Sequence, residues 1–165
     1  MLGPDDMVGA AIAVAEEGMA VGELPIGAVV VMGGEIVGRS YTKERAAGRR
    51  LVHADLLAMI AADESLGWRK RSEPLALAVN LEPCVMCMAT AMTLGVTEVY
   101  FALESPADGG TDLAQTWQAS PEMPWLRAPI VTGGIRRDEA RDQFRRYCAS
   151  APESSYKTWA ATLVG

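Results

Sequence analysis

The chain has 165 residues, half of them hydrophobic and 22% charged, which is enough apolar material for the core of one domain and excludes a disordered or collagen-like chain. Its net charge of −6 is uneven: residues 125–165 carry seven Lys/Arg against four Asp/Glu, and residues 1–124 carry eight against 17. An acidic body disfavours wide contact with a phosphate backbone, although a local basic patch remains open. No run of about 18 apolar residues predicts a membrane-spanning helix. The apolar run Met7–Ala15 follows Asp5 and Asp6, which argues against a signal peptide and for a cytoplasmic protein.

Helical spacing of Met7, Ala11, Val14 and Ala15 predicts a first helix over Asp5–Gly18. The β-branched run Ile26–Met32, the Gly33–Gly34 turn and Glu35–Arg39 read as a hairpin. Residues Tyr41 to Val52 form a polar loop, with Lys43, Arg45, Arg49 and Arg50 against Glu44 alone. A helix is expected over His53–Glu64, a buried strand over Leu75–Leu81, and a helix over Cys84–Leu94 that starts just after Pro83. Next come a strand at Thr97–Leu103, a helix at Thr111–Ala119 and a last strand at Ala128–Val131. Helices at Arg136–Cys148 and Ser155–Leu163 close the chain. Strands alternating with helices after a hairpin imply a mixed sheet covered on both faces.

The chemistry concentrates in two segments, His53–Ala54–Asp55 and Pro83–Cys84–Val85–Met86–Cys87. Zinc prefers thiolate and imidazole ligands, and three protein ligands leave a fourth position for water. His53, the one histidine in the chain, together with Cys84 and Cys87 meets that count. Two cysteines three apart at a helix start point the same way, and the helix N-terminus favours their thiolates. The rival is a redox dithiol, which would also open a helix after a strand but leaves His53–Ala54–Asp55 unexplained. Cys148 has no partner spacing and reads as an ordinary thiol.

Histidine, a carboxylate two residues on, and a later Pro-Cys-x-x-Cys resemble the signature of the zinc nucleobase deaminases. Glu23–Val31, His53–Asp55 and Leu81–Cys87 are similar to the tRNA-adenosine-deaminase and guanine-deaminase branch of the cytidine deaminase-like superfamily. The similarity covers about residues 5–147 of a single domain, with a helical tail at 148–165. The resemblance implies a three-layer α/β/α sandwich with a five-stranded mixed sheet. It also implies zinc on His53, Cys84 and Cys87, a proton shuttle at Asp55, a substrate contact from the Ala54 N–H, and a homodimer.

Three departures bear on substrate. Asp55 stands where the family carries Glu, a side chain shorter by one methylene, about 1.5 Å. Thr42 stands where relatives carry an Asn that contacts the purine or ribose, so one hydroxyl replaces an amide donor and acceptor. Residues Glu104–Pro129 match the family poorly, and Trp117 or Trp125 there could wall the pocket by stacking on a base. Glu82, the nearest spare carboxylate, reads as structural.

Arg39–Arg50 offers five Lys/Arg with one Glu, and Arg137, Arg141 and Arg145 share a helix face. Acids interleave with the latter, however, and residues 149–165 hold one Lys and one Glu. The expected activity is therefore zinc-dependent hydrolytic deamination of a small, purine-like nucleobase or nucleoside, with ammonia released. A tRNA-specific adenosine deaminase is the alternative, and a zinc-bound but catalytically silent subunit is a further one.

Overall fold

The computed structural model describes residues 2–165. In chain order the elements are α1 (Pro4–Ala20), β1 (Gly27–Met32), β2 (Glu35–Tyr41), α2 (Glu44–Ala47), α3 (Ala54–Leu66), β3 (Leu75–Leu81), α4 (Val85–Leu94), β4 (Val96–Leu103), α5 (Thr111–Thr116), β5 (Ile130–Thr132), α6 (Arg137–Ser150) and α7 (Ser155–Ala161). The sheet has the order β2-β1-β3-β4-β5. Strand β1 is antiparallel to β2 and β3, while β3, β4 and β5 run parallel. The sequence-predicted mixed five-stranded sheet between helical layers is therefore the fold that forms.

Strand β3 is buried at every position, which explains why its residues are apolar on both faces, with Asn80 the one exception, in place of an alternating pattern. One side of the sheet packs Val29, Val31 and Ala78 against Val8, Ile12 and Phe144 of α1 and α6. The other packs Ala28, Val30, Leu77 and Val79 against Ala58, Met59 and Met88 of α3 and α4. Both layers lie directly on the sheet because two strand positions lack a side chain. A Cβ on Gly27 would sit 2.3 Å from Ala15 N, and one on Gly38 would sit 2.2 Å from Ala58 O.

Three details differ from expectation. The Tyr41–Val52 loop contains the short helix α2, which local sequence does not announce because Lys43 at its N-cap forms no side-chain cap. The cap comes from Glu23, 2% exposed, whose carboxylate accepts from Arg45 N and Ala46 N, each at 3.0 Å. The last strand is shifted to Ile130–Thr132. The 148–165 segment folds back: Ala160 and Leu163 join the α1 and α6 core, and the Trp159 ring meets Phe144 edge-on at 6.1 Å. Among the described residues no helix is long and apolar enough to cross a membrane.

A buried polar junction ties the sheet to α6 and α1. Asn80, fully buried, donates through Nδ2 to Pro25 O at 2.7 Å and to Gln143 Oε1 at 2.9 Å, and its Oδ1 accepts from Gly27 N at 2.9 Å. Gln143 Nε2 in turn donates to Ile12 O at 2.9 Å. Replacing Asn80 with leucine strands three buried groups that cost about 1–3 kcal/mol each when unsatisfied. Asn80→Leu should therefore destabilise the fold by at least about 2 kcal/mol, read as a lower urea midpoint at unchanged slope.

Candidate metal centre and substrate cavity

Two helix N-termini meet beyond the end of β3. His53 is the N-cap residue of α3 and Cys84 that of α4, both with extended backbone and neither with a side-chain cap. The Cys84 end is fixed by Glu82, whose carboxylate accepts from Ser105 N at 3.1 Å, Thr111 N at 3.2 Å and Thr111 Oγ1 at 2.7 Å. Gly110 N donates to Pro83 O at 2.7 Å and Val85 N to Asp108 O at 3.0 Å. The poorly matching stretch after β4 thus begins by clamping the Pro83–Cys84 turn, and Glu82 is engaged with three donors.

This framework brings one His53 ring nitrogen and the Cys84 and Cys87 sulfurs within 4.8 Å of one another. His53 Nδ1 lies 3.5 Å from Cys84 Sγ and 3.8 Å from Cys87 Sγ. Tetrahedral zinc, with Zn–N about 2.0–2.1 Å and Zn–S about 2.3 Å, separates nitrogen from sulfur by about 3.5 Å. The three side chains therefore fit zinc as they stand, and nothing has to swing inward. Both helix ends aim their positive poles at this spot, which favours thiolate over thiol.

Among the protein groups alone, the Cys84 sulfur beside His53 raises the imidazole to about 9. The Cys87 thiol hydrogen-bonded to Cys84 brings it down to about 4, and the same contact drives Cys87 upward. Cys84 is thus the first sulfur to ionise. Asp55, in the first turn of α3, is 4% exposed, and burial pushes it up to about 6 against the opposing pull of the Cys87 thiol.

A cavity of about 230 Å³ opens over these groups. His53, Ala54, Asp55 and Cys84 line it together with apolar Leu24, Ile26, Val79 and Leu81. Thr42 lines it too, but its hydroxyl is committed: Oγ1 donates to Glu44 Oε1 at 2.9 Å. The fully buried Ala54 begins α3, so its N–H faces no partner within the helix.

Trp117 does not belong to this cavity. Its Nε1–H donates to Leu126 O at 2.9 Å, which closes residues 117–126 on themselves, and Trp125 is 67% exposed. The aromatic wall comes instead from α7, through Tyr156 and Trp159 beside Ser155. Sequence reasoning missed both aromatics, although their i, i+3 spacing in the last helix was a usable signal. It also missed Glu44, which lines the cavity with Oε1 3.7 Å from His53 Nε2. Burial raises the Glu44 pKa against the opposing effect of His53.

If these ligands act together, Cys87→Ala should lose bound zinc and lower the melting temperature, because metal binding contributes to folding free energy. Elemental analysis and a thermal scan of the variant beside wild type check this.

Comparison with known proteins places the centre in a family. Residues 4–103 match the model of the cytidine and deoxycytidylate deaminase zinc-binding region. The tRNA-specific adenosine deaminase of Agrobacterium fabrum is 30% identical over 125 residues, 76% of this chain and 80% of that protein. The tRNA(Ile)-lysidine synthase of Deinococcus deserti is 34% identical over 146 residues, 86% of this chain, and the chain spans only 27% of its length. The solved guanine deaminase of Nitrosomonas europaea superposes with a TM-score of 0.72 at 22% identity, over 89% of this chain and 85% of that one, which is a likeness of fold. The zinc-fitting His53, Cys84 and Cys87 geometry and the match over most of the chain agree: this chain belongs to the cytidine and deoxycytidylate deaminase zinc-binding family.

Proposed function

We propose that the chain is a zinc-dependent hydrolytic deaminase of a small, purine-like nucleobase or nucleoside, converting a ring C–NH2 to C=O with water and releasing ammonia. The observation that carries this reading is the cavity. Its volume, about 230 Å³, lies below the ~300–1,000 Å³ of pockets for drug-sized ligands. It brings His53, Cys84 and the buried Asp55 carboxylate together with the aromatic Tyr156 and Trp159.

When bound by His53, Cys84 and Cys87, zinc would supply a water activated for attack near neutral pH. The chain's own groups do the rest. Asp55 accepts one proton of the attacking water and passes it to the ring nitrogen; it then takes the proton of the newly formed C–OH and delivers it to the departing amine, so that ammonia leaves as C=O forms. The Ala54 N–H donates to a ring acceptor on the substrate. Trp159 stacks on the base and, with Tyr156, keeps bulk water from the reacting carbon. Thr42 acts through Glu44, since its hydroxyl proton is already donated there.

A tRNA substrate is the second reading, favoured by the name of the Agrobacterium relative. Against it, the arginines of α6 are largely occupied: Arg137 Nε donates to Glu104 Oε2 at 2.9 Å, Arg141 pairs with Asp138 at 3.4 Å and Arg146 with Asp142 at 3.0 Å. A homodimer belongs to the same proposal, and sedimentation equilibrium measures it.

An ammonia-release screen over guanine, adenine, cytosine, their nucleosides, aminated triazines and an anticodon stem-loop tests the function. Turnover of a free base or nucleoside supports it, and adenosine-to-inosine conversion in the stem-loop alone overturns it. Asp55→Ala and Asp55→Asn should each lower kcat by ~10²–10⁴-fold with zinc still bound. Asp55→Glu should also be slower, because the longer side chain carries the carboxylate about 1.5 Å further into the cavity that Asp55 lines. Trp159→Ala should raise KM roughly tenfold, given ~1–3 kcal/mol per stacked base.

A further inference from the structure

We infer that Glu44 is the outer partner of the metal ligand His53, a positioning residue that holds the imidazole through its Nε2–H. The inference rests on the metal reading of the centre and is independent of which base is deaminated.

His53 turns Nδ1 toward both sulfurs, at 3.5 and 3.8 Å, so Nδ1 is the nitrogen offered to the metal. A histidine that binds metal through Nδ1 as a neutral ring carries its proton on Nε2. Such a proton almost always goes to a carboxylate, a carbonyl or a water, which fixes the ring plane and raises ligand basicity. Among the described residues, no group hydrogen-bonds His53 Nε2, and the carboxylate placed to do so is Glu44, with Oε1 at 3.7 Å. Closing to about 2.9 Å takes a side-chain adjustment of under ~1 Å.

Glu44 is not a stray surface acid. It is the first residue of α2, and that turn is held from the far side by the Glu23 carboxylate on Arg45 N and Ala46 N. The Thr42 hydroxyl donates to Oε1, and Thr42 itself is 1% exposed. Among the described residues, only that hydroxyl hydrogen-bonds the carboxylate, which leaves lone pairs for His53. The side chains of His53 and Glu44 are 28% and 19% exposed, so bulk water competes weakly for their contact. Thr42 and Glu44 thus act as a pair: the hydroxyl orients the carboxylate, and the carboxylate orients the ligand.

Zinc affinity of the full chain, measured by competition with a colorimetric chelator, tests this without any substrate. Glu44→Ala should bind zinc ~10–100-fold more weakly than wild type. Glu44→Gln should fall between the two, because its amide oxygen still accepts the Nε2–H. Melting temperatures of the chelator-stripped proteins should agree, since the contact serves the loaded centre. Zinc affinity of Glu44→Ala within twofold of wild type overturns the inference. So does an affinity loss matched by an equal loss of stability in the stripped protein. If Glu44→Ala fails to fold, wild-type affinity in Glu44→Gln is enough to overturn it. A wild-type chain that binds no zinc overturns the metal reading as well, whereas a tight wild type beside an equally tight Glu44→Ala removes this inference alone.

Discussion

The structure depends on two helix N-termini meeting within the span of one metal ion. Helices α3 and α4 start 31 residues apart, at His53 and Cys84, from opposite ends of the β3 connection. Each start carries unpaired N–H groups and a positive pole, an arrangement that is unfavourable unless negative charge sits between them. The Cys84 and Cys87 sulfurs stand where that charge is needed, and both would carry it as thiolates when a metal is held there. The donor set therefore relieves a backbone cost as well as binding zinc, and much of the surrounding architecture serves to hold the two starts in place.

That holding is done by two carboxylates, the half-buried Glu82 and the buried Glu23. Glu82 gathers three donors from the segment after β4 and fixes the Cys84 turn. Glu23 caps α2 and fixes the approach to His53. Both lie in the segments that carry the family resemblance, yet neither has to touch a substrate. Each carboxylate accepts from two backbone N–H groups, which ties a loop in place more firmly than apolar contact alone.

The layers, most of the strands and helices, and the three zinc-fitting residues were legible because their signals are local. Leu75–Leu81 is a run of apolar residues, and Cys84 and Cys87 lie one turn apart at a helix start. What was illegible depends on contacts between distant segments. Helix α2 has no cap of its own and takes one from Glu23, 22 positions away. Trp159 reaches the cavity because α7 folds back onto Phe144; the i, i+3 spacing of Tyr156 and Trp159 marks a shared face but not what that face meets. Trp117 was misplaced for the complementary reason: an aromatic among prolines looks available, but its indole N–H was already satisfied nine residues along. Thr42 drew attention through its place in the family resemblance, while Glu44, to which its hydroxyl donates, carried no motif to draw the eye.

X-ray absorption at the zinc edge of the purified protein tests the central claim most directly. About one zinc per chain is expected, with two sulfur scatterers at about 2.3 Å and two nitrogen or oxygen scatterers at about 2.0–2.1 Å, one from His53 and one from water. A shell of four light atoms without sulfur, or a zinc-free protein with Cys84 and Cys87 joined as a disulfide, would contradict it.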